Sequence, residues 1–71
     1  MKLPRDVNVA EAARALQRMG FVVQRQTGSH LILRREGRTV VVPQHKPLKP
    51  GTLKGVLEQA AISLEQFVEQ L

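Results

Sequence analysis

Gly28, Ser29 and His30 stand in a row, behind Thr27 and ahead of the apolar run Leu31-Ile32-Leu33. Histidine is the side chain whose ordinary pKa lets it take and give protons near neutral pH. Glycine in such a place marks a tight turn or a close backbone approach. Ser29 is suited to orienting His30 or to donating to a phosphate oxygen. The triplet is therefore a candidate acid/base site at the head of a strand. The alternative is an ordinary strand histidine. The second histidine, His45, closes Val42-Pro43-Gln44-His45. It is a candidate general acid near the same end of the sheet, or else a loop or capping residue.

Other chemistries find few residues to use. The chain has 71 residues and no cysteine, which excludes disulfides, thiolate nucleophiles and thiolate metal sites. Asp6, Glu11, Glu36, Glu58, Glu65 and Glu69 are scattered rather than clustered, a poor arrangement for holding Mg²⁺. Two histidines at this spacing are too few for a defined metal site. No metal and no cofactor are expected. Eleven Lys and Arg against six Asp and Glu give a formal charge of +5. Such a balance suits a polyanion, most often nucleic acid, or an acidic protein. Tyr and Trp are absent, and Phe21 and Phe67 both fall in apolar patterns. An aromatic platform for stacking bases is thus missing, which favours contacts to backbone and shape. Met1-Lys2-Leu3-Pro4-Arg5 has no signal-peptide character, and no apolar run approaches a membrane span. The expectation is one domain over residues 1–71, in the cytoplasm.

The elements that must position the triplet follow from spacing. Asn8 is a plausible N-cap with Glu11 three residues on, close to a capping box. Val9, Ala12, Ala13, Leu16 and Met19 keep helical spacing, and Gly20 fits the position past a helix end. This predicts a helix over 8–19, with Arg14 and Arg18 on its polar side, solvated or facing a ligand. Residues 21–26 read as a first strand, with Phe21 and Val23 toward the core and Val22, Gln24 and Gln26 away. A second strand runs from His30 to Arg35. Glu36-Gly37 is a two-residue hairpin loop. Arg38 to Val42 is the third strand, closed by Pro43.

That loop fixes a register. Arg35 should face Arg38, Leu33 face Val40, Leu31 face Val42, and His30 lie near Pro43. Strand side chains alternate, so Leu31, Leu33, Val40 and Val42 form a core face. His30, Ile32, Arg34, Thr39 and Val41 form the other. A slip of one residue would bury His30 and Arg34 instead. Beyond the basic connection 44–49, Pro50 suits a first helical turn. Leu53, Val56, Leu57 and Ala60 make an apolar stripe, and Gly55 is expected to allow close packing against the sheet. Ser63 with Gln66 is a capping box, and Ile62 with Phe67 a hydrophobic staple, opening a short helix over 64–70. The fold class is α+β: a three-stranded antiparallel sheet, helices on one face, order α-β-β-β-α-α.

Several basic residues are candidates for gripping a phosphate chain. Arg34 shares the His30 face but lies four residues along the strand, about 13 Å by strand rise, so a neighbouring phosphate is its natural target. Lys46 and Lys49 precede a helix N-terminus, where free amides and the helix dipole favour anions. Lys49, Gly51, Thr52 and Lys54 would then hold the backbone. Against this, Gly51-Thr52-Leu53 serves equally as a plain helix start, and Arg34, Arg35 and Arg38 as charges that keep the protein in solution.

Gly28-Ser29-His30, then Val42-Pro43-Gln44-His45, then Gly51-Thr52-Leu53 with Val56-Leu57, together resemble the signature of HicA-type toxins. These are small mRNA-cleaving proteins of bacterial and archaeal toxin–antitoxin pairs. Gly20-Phe21 at the end of the first helix also fits. The resemblance covers nearly the whole chain. It implies a fold like the double-stranded-RNA-binding domain, endoribonuclease activity without a metal, RNA as substrate and a HicB-type antitoxin as partner. It makes His30 the catalytic residue. Leu31 stands where members often carry a further histidine or an aromatic, and alternation sends it to the core. In such a reaction the ribose 2′-hydroxyl is the nucleophile, and the protein supplies a base, charge stabilisation and alignment. The alternative is a non-catalytic RNA-binding module of the same fold.

Overall fold

The computed structural model describes residues 7–44 and 48–71. Two candidate residues, His45 and Lys46, lie outside them. The elements are α1 (Val9–Arg18), β1 (Val22–Gln26), β2 (His30–Arg35), β3 (Arg38–Pro43), α2 (Pro50–Ala60) and α3 (Leu64–Glu69). The class is α+β, in the order the patterns predict.

Helix α1 begins where its sequence says it should. The Asn8 side chain accepts from the Glu11 amide at 2.8 Å, and the Glu11 carboxylate accepts from the Asn8 amide at 3.4 Å. Each bond satisfies a donor that a helix N-terminus leaves orphaned. Ala12, Ala15 and Leu16 are its buried stripe. Gly20 then takes φ +97° and turns the chain into the sheet. The Arg35 guanidinium donates to the Met19 carbonyl at 2.6 Å and lies 4.9 Å over the Phe21 ring. Arg35 is thus tied to the end of α1, and solubility does not account for it.

The sheet order is β1-β2-β3, antiparallel throughout. Between β2 and β3 the register is the expected one: His30↔Pro43, Leu31↔Val42, Leu33↔Val40 and Arg35↔Arg38. Glu36 (φ +48°) and Gly37 (φ +81°) are both left-handed, the two-residue turn whose twist matches the strands it joins. Leu31, Leu33, Val40 and Val42 are buried. His30, Arg34 and Thr39 are exposed on the opposite face, with Ile32 and Val41 half-buried between them.

Strand β1 departs from expectation. Val22 pairs with Arg34 and Val23 with Leu33, but then Arg25 pairs with Ile32 and Gln26 with Leu31. Gln24 is an extra residue, a β-bulge, and a bulge breaks the two-residue alternation. Strict alternation from Phe21 would send Arg25 inward and Gln26 outward. The bulge puts Arg25 on the open face and Gln26 on the core side. Val23, expected in the core, is 36% exposed. It sits on the edge strand, while α2 packs against β3 at the other side of the sheet.

Helix α2 starts at Pro50 without a side-chain cap and buries Leu53, Val56, Leu57 and Ala60. A Cβ added at Gly55 would meet nothing within 4 Å, so close packing is not what this glycine provides. Gln59 closes the free edge of β3. Its side-chain oxygen accepts from the Val41 amide at 2.9 Å, and its carbonyl accepts from Arg38 at 3.3 Å. Ser63 and Gln66 form the predicted capping box of α3. Phe67 is fully buried and Ile62 packs against the same core. Arg18 donates to the Gln70 carbonyl at 2.6 Å, joining α1 to the end of α3.

Ala61, after α2, adopts φ +56°, a conformation that costs a residue with a Cβ roughly 1–2 kcal/mol. Glycine is the usual residue there. Ala61→Gly is expected to stabilise the domain by about 1 kcal/mol, seen as a higher urea midpoint at unchanged slope. A lower midpoint would mean that the left-handed residue carries no strain.

Candidate active site

The turn between β1 and β2 is held on every side. The Thr27 amide donates to the His30 carbonyl at 2.8 Å. The Thr27 hydroxyl oxygen accepts from the His30 amide at 2.9 Å and from the Ser29 amide at 3.3 Å. A threonine hydroxyl bonding amides two and three residues on is a recurrent device for stabilising turns. From β3, the Gln44 amide donates to the Ser29 carbonyl at 2.7 Å. The Gln44 side-chain nitrogen donates to the Thr27 carbonyl at 2.6 Å and the His30 carbonyl at 3.2 Å. Gly28 and Ser29 make the tight turn and are both exposed. The close approach allowed for at Gly28 does not occur: a Cβ there would meet nothing within 4 Å, and its φ is not left-handed.

His30 leaves this turn with its backbone fixed and its imidazole on the open face, bonded to no described side chain. The cation nearest to it along the sheet is Arg25. Ile32 is opposite Arg25 and two residues from His30, which makes Arg25 and His30 diagonal neighbours, about 7 to 8 Å apart at Cα. Arg34 is near the hairpin end, opposite Thr39, and does not approach His30. Sequence reasoning missed Arg25 because nothing local announces the bulge. It missed Thr27 although a threonine ahead of a glycine turn was a usable signal, and Gln44 because its bonds span the sheet.

The start of α2 lies at the same end of the fold. Leu48 bridges Val7, its amide donating to the Val7 carbonyl at 2.9 Å. Gln44 is four residues away from Leu48, at most about 14 Å of chain. Gln59, near the end of α2, bonds Arg38 and Val41 toward the hairpin, so α2 starts toward the His30 end of the sheet, with Lys49 exposed just ahead of it and Thr52 half-buried in its first turn. Lys54 faces elsewhere, lining a groove with Leu57, Glu58, Ile62 and Leu64. Among the described residues no three histidine, aspartate or glutamate side chains cluster to hold a metal. Nor is any described helix long and apolar enough to cross a membrane.

Fold and site define a class: a small α+β domain with helices on one sheet face and a histidine beside an arginine, Arg25, on the other. The family model described as "HicA toxin of bacterial toxin-antitoxin" matches residues 9–62, and the chain belongs to this family. The matched segment runs from the first residue of α1 to Ile62, which packs against the core ahead of α3, and contains the His30 turn. Membership makes the chain a toxin of the toxin–antitoxin kind and implies an antitoxin partner. No curated protein matches the chain.

Proposed function

We propose that the chain is a metal-independent endoribonuclease that cleaves mRNA in the cytoplasm, with His30 as its acid/base. His30 takes the proton of a ribose 2′-hydroxyl, whose oxygen then attacks the adjacent phosphorus. The bond from phosphorus to the 5′-oxygen breaks and the leaving oxygen gains a proton. The products are a 2′,3′-cyclic phosphate and a 5′-hydroxyl. Arg25 is the cation best placed to stabilise the charge that builds on the phosphoryl oxygens. Ser29 orients His30 or donates to the same oxygens, and His45 is the candidate proton donor to the leaving group. Gly28, Lys49 and Thr52 line the path of the RNA backbone at this end, with Lys46 a further candidate for holding that backbone and Arg34 on a flanking phosphate; Lys54, which faces the groove beside Ile62, is not part of this path. A HicB-type antitoxin restrains the toxin by covering the open sheet face.

The observation that carries this reading is an exposed histidine on a turn braced from two strands, beside an arginine on an open face. Incubating the pure protein with single-stranded RNA in EDTA tests it. Cleavage supports the enzyme; binding without cleavage supports an RNA-binding module instead.

Binding through phosphates releases counterions, so affinity should fall linearly with salt on logarithmic axes. Arg25→Ala is expected to weaken RNA binding about equally for different sequences and to reduce that slope by about 1. Titrations of both proteins at several salt concentrations check this. An unchanged slope would remove Arg25 from the interface.

A further inference from the structure

We propose that Gln44 is a positioning residue for His30, its carboxamide locking together the ends of all three strands at the turn that presents the histidine. The inference rests on the reading of His30 as the acid/base. Thr27 is the residue leaving β1, His30 opens β2, and Gln44 follows β3. One side-chain nitrogen donates to carbonyls of both Thr27 and His30, while the Gln44 backbone amide donates to Ser29. The carboxamide thus crosses from β3 to β1 beneath the start of β2. It runs along the core side of the sheet, in a cleft of about 320 Å³ with Val9, Ala13, Gln26 and Leu31. Its hydrogen bonds go to backbone carbonyls and none to the imidazole, so its influence on cleavage would pass through the backbone.

The physical need is clear from what remains without it. Gly28 and Ser29 are exposed, and the carbonyls of Thr27 and His30 would lose the one side chain that binds both. The Thr27 hydroxyl would still hold the amides and reach the His30 carbonyl, but among the described residues only the Gln44 backbone amide would still bond residues 27–29 from the β3 side. A displacement of about 1 Å at a catalytic group can cost about a hundredfold in rate.

Two variants test this, Gln44→Glu and Gln44→Met. The first turns an N–H donor into an oxygen facing two carbonyl oxygens, and the second keeps the reach without donors. Both are compared with the native chain and His30→Ala by single-turnover RNA cleavage and by amide hydrogen exchange. The expected result is a rate lowered about tenfold to a hundredfold with RNA affinity retained. Exchange should quicken at Thr27, Ser29 and His30 while the middles of β2 and β3 stay protected. Native cleavage rates in both variants, or unaltered exchange at the turn, would overturn the proposal. So would exchange quickened throughout the sheet, which would make Gln44 merely structural. If the native chain itself cuts no RNA, the functional reading fails; exchange at the turn still decides whether Gln44 holds it.

Discussion

Replacing His30 with alanine is expected to lower RNA cleavage by at least about a hundredfold while leaving the domain folded. A positioned acid or base contributes typically about 10²–10⁴-fold, and His30 is the group proposed to take the proton from the nucleophile. The fold should barely notice. The side chain is exposed, and the bonds that hold residue 30 go to its backbone amide and carbonyl, which alanine keeps. Surface substitutions away from such features usually change stability by no more than about 0.5 kcal/mol. Single-turnover cleavage alongside urea unfolding reads both quantities on the same samples. A loss of several kcal/mol would mean that the imidazole is part of the packing, and the inactivity of the variant would then say nothing about chemistry.

The largest effect on stability is expected at Phe67. Phe67→Ala should cost about 3–5 kcal/mol. The ring is fully buried in the core shared by α1, the sheet and α2, although the family match ends at residue 62. Domains hold roughly 0.05–0.15 kcal/mol per residue, so for a chain this short the loss takes a large share of the total. The Ser63–Gln66 capping box and the Arg18–Gln70 bond bring α3 onto that core. Urea unfolding of Phe67→Ala at 25 °C measures the cost. A loss below about 1 kcal/mol would make α3 an appendage, since burial of a whole ring cannot come so cheaply.

Much of the fold was legible because the relevant signals are local. A two-residue turn at Glu36-Gly37 leaves one register that buries Leu31, Leu33, Val40 and Val42, and that register is observed. Asn8 with Glu11 and Ser63 with Gln66 announce helix starts through bonds spanning three residues. The bulge at Gln24 was not legible. It depends on how β1 meets β2, and its own sequence carries no glycine to mark it. That one residue decides which arginine stands beside His30. Arg35 read as a hairpin charge because its partners, Met19 and Phe21, are distant in sequence. Gly55 suggested a close contact that the packing does not make. For the candidate site, the face on which His30 lies was readable. The bracing of its turn was readable only in part, because Thr27 acts locally whereas Gln44 reaches the turn from across the sheet.

The chemistry of the ends that cleavage leaves tests the role of His30 most directly. A short synthetic RNA incubated with the native protein in EDTA, its fragments weighed by mass spectrometry, gives that answer. A histidine acting on the ribose hydroxyl predicts fragments ending in a 2′,3′-cyclic phosphate and beginning with a 5′-hydroxyl. Fragments with a 5′-phosphate, or RNA left whole, would contradict it.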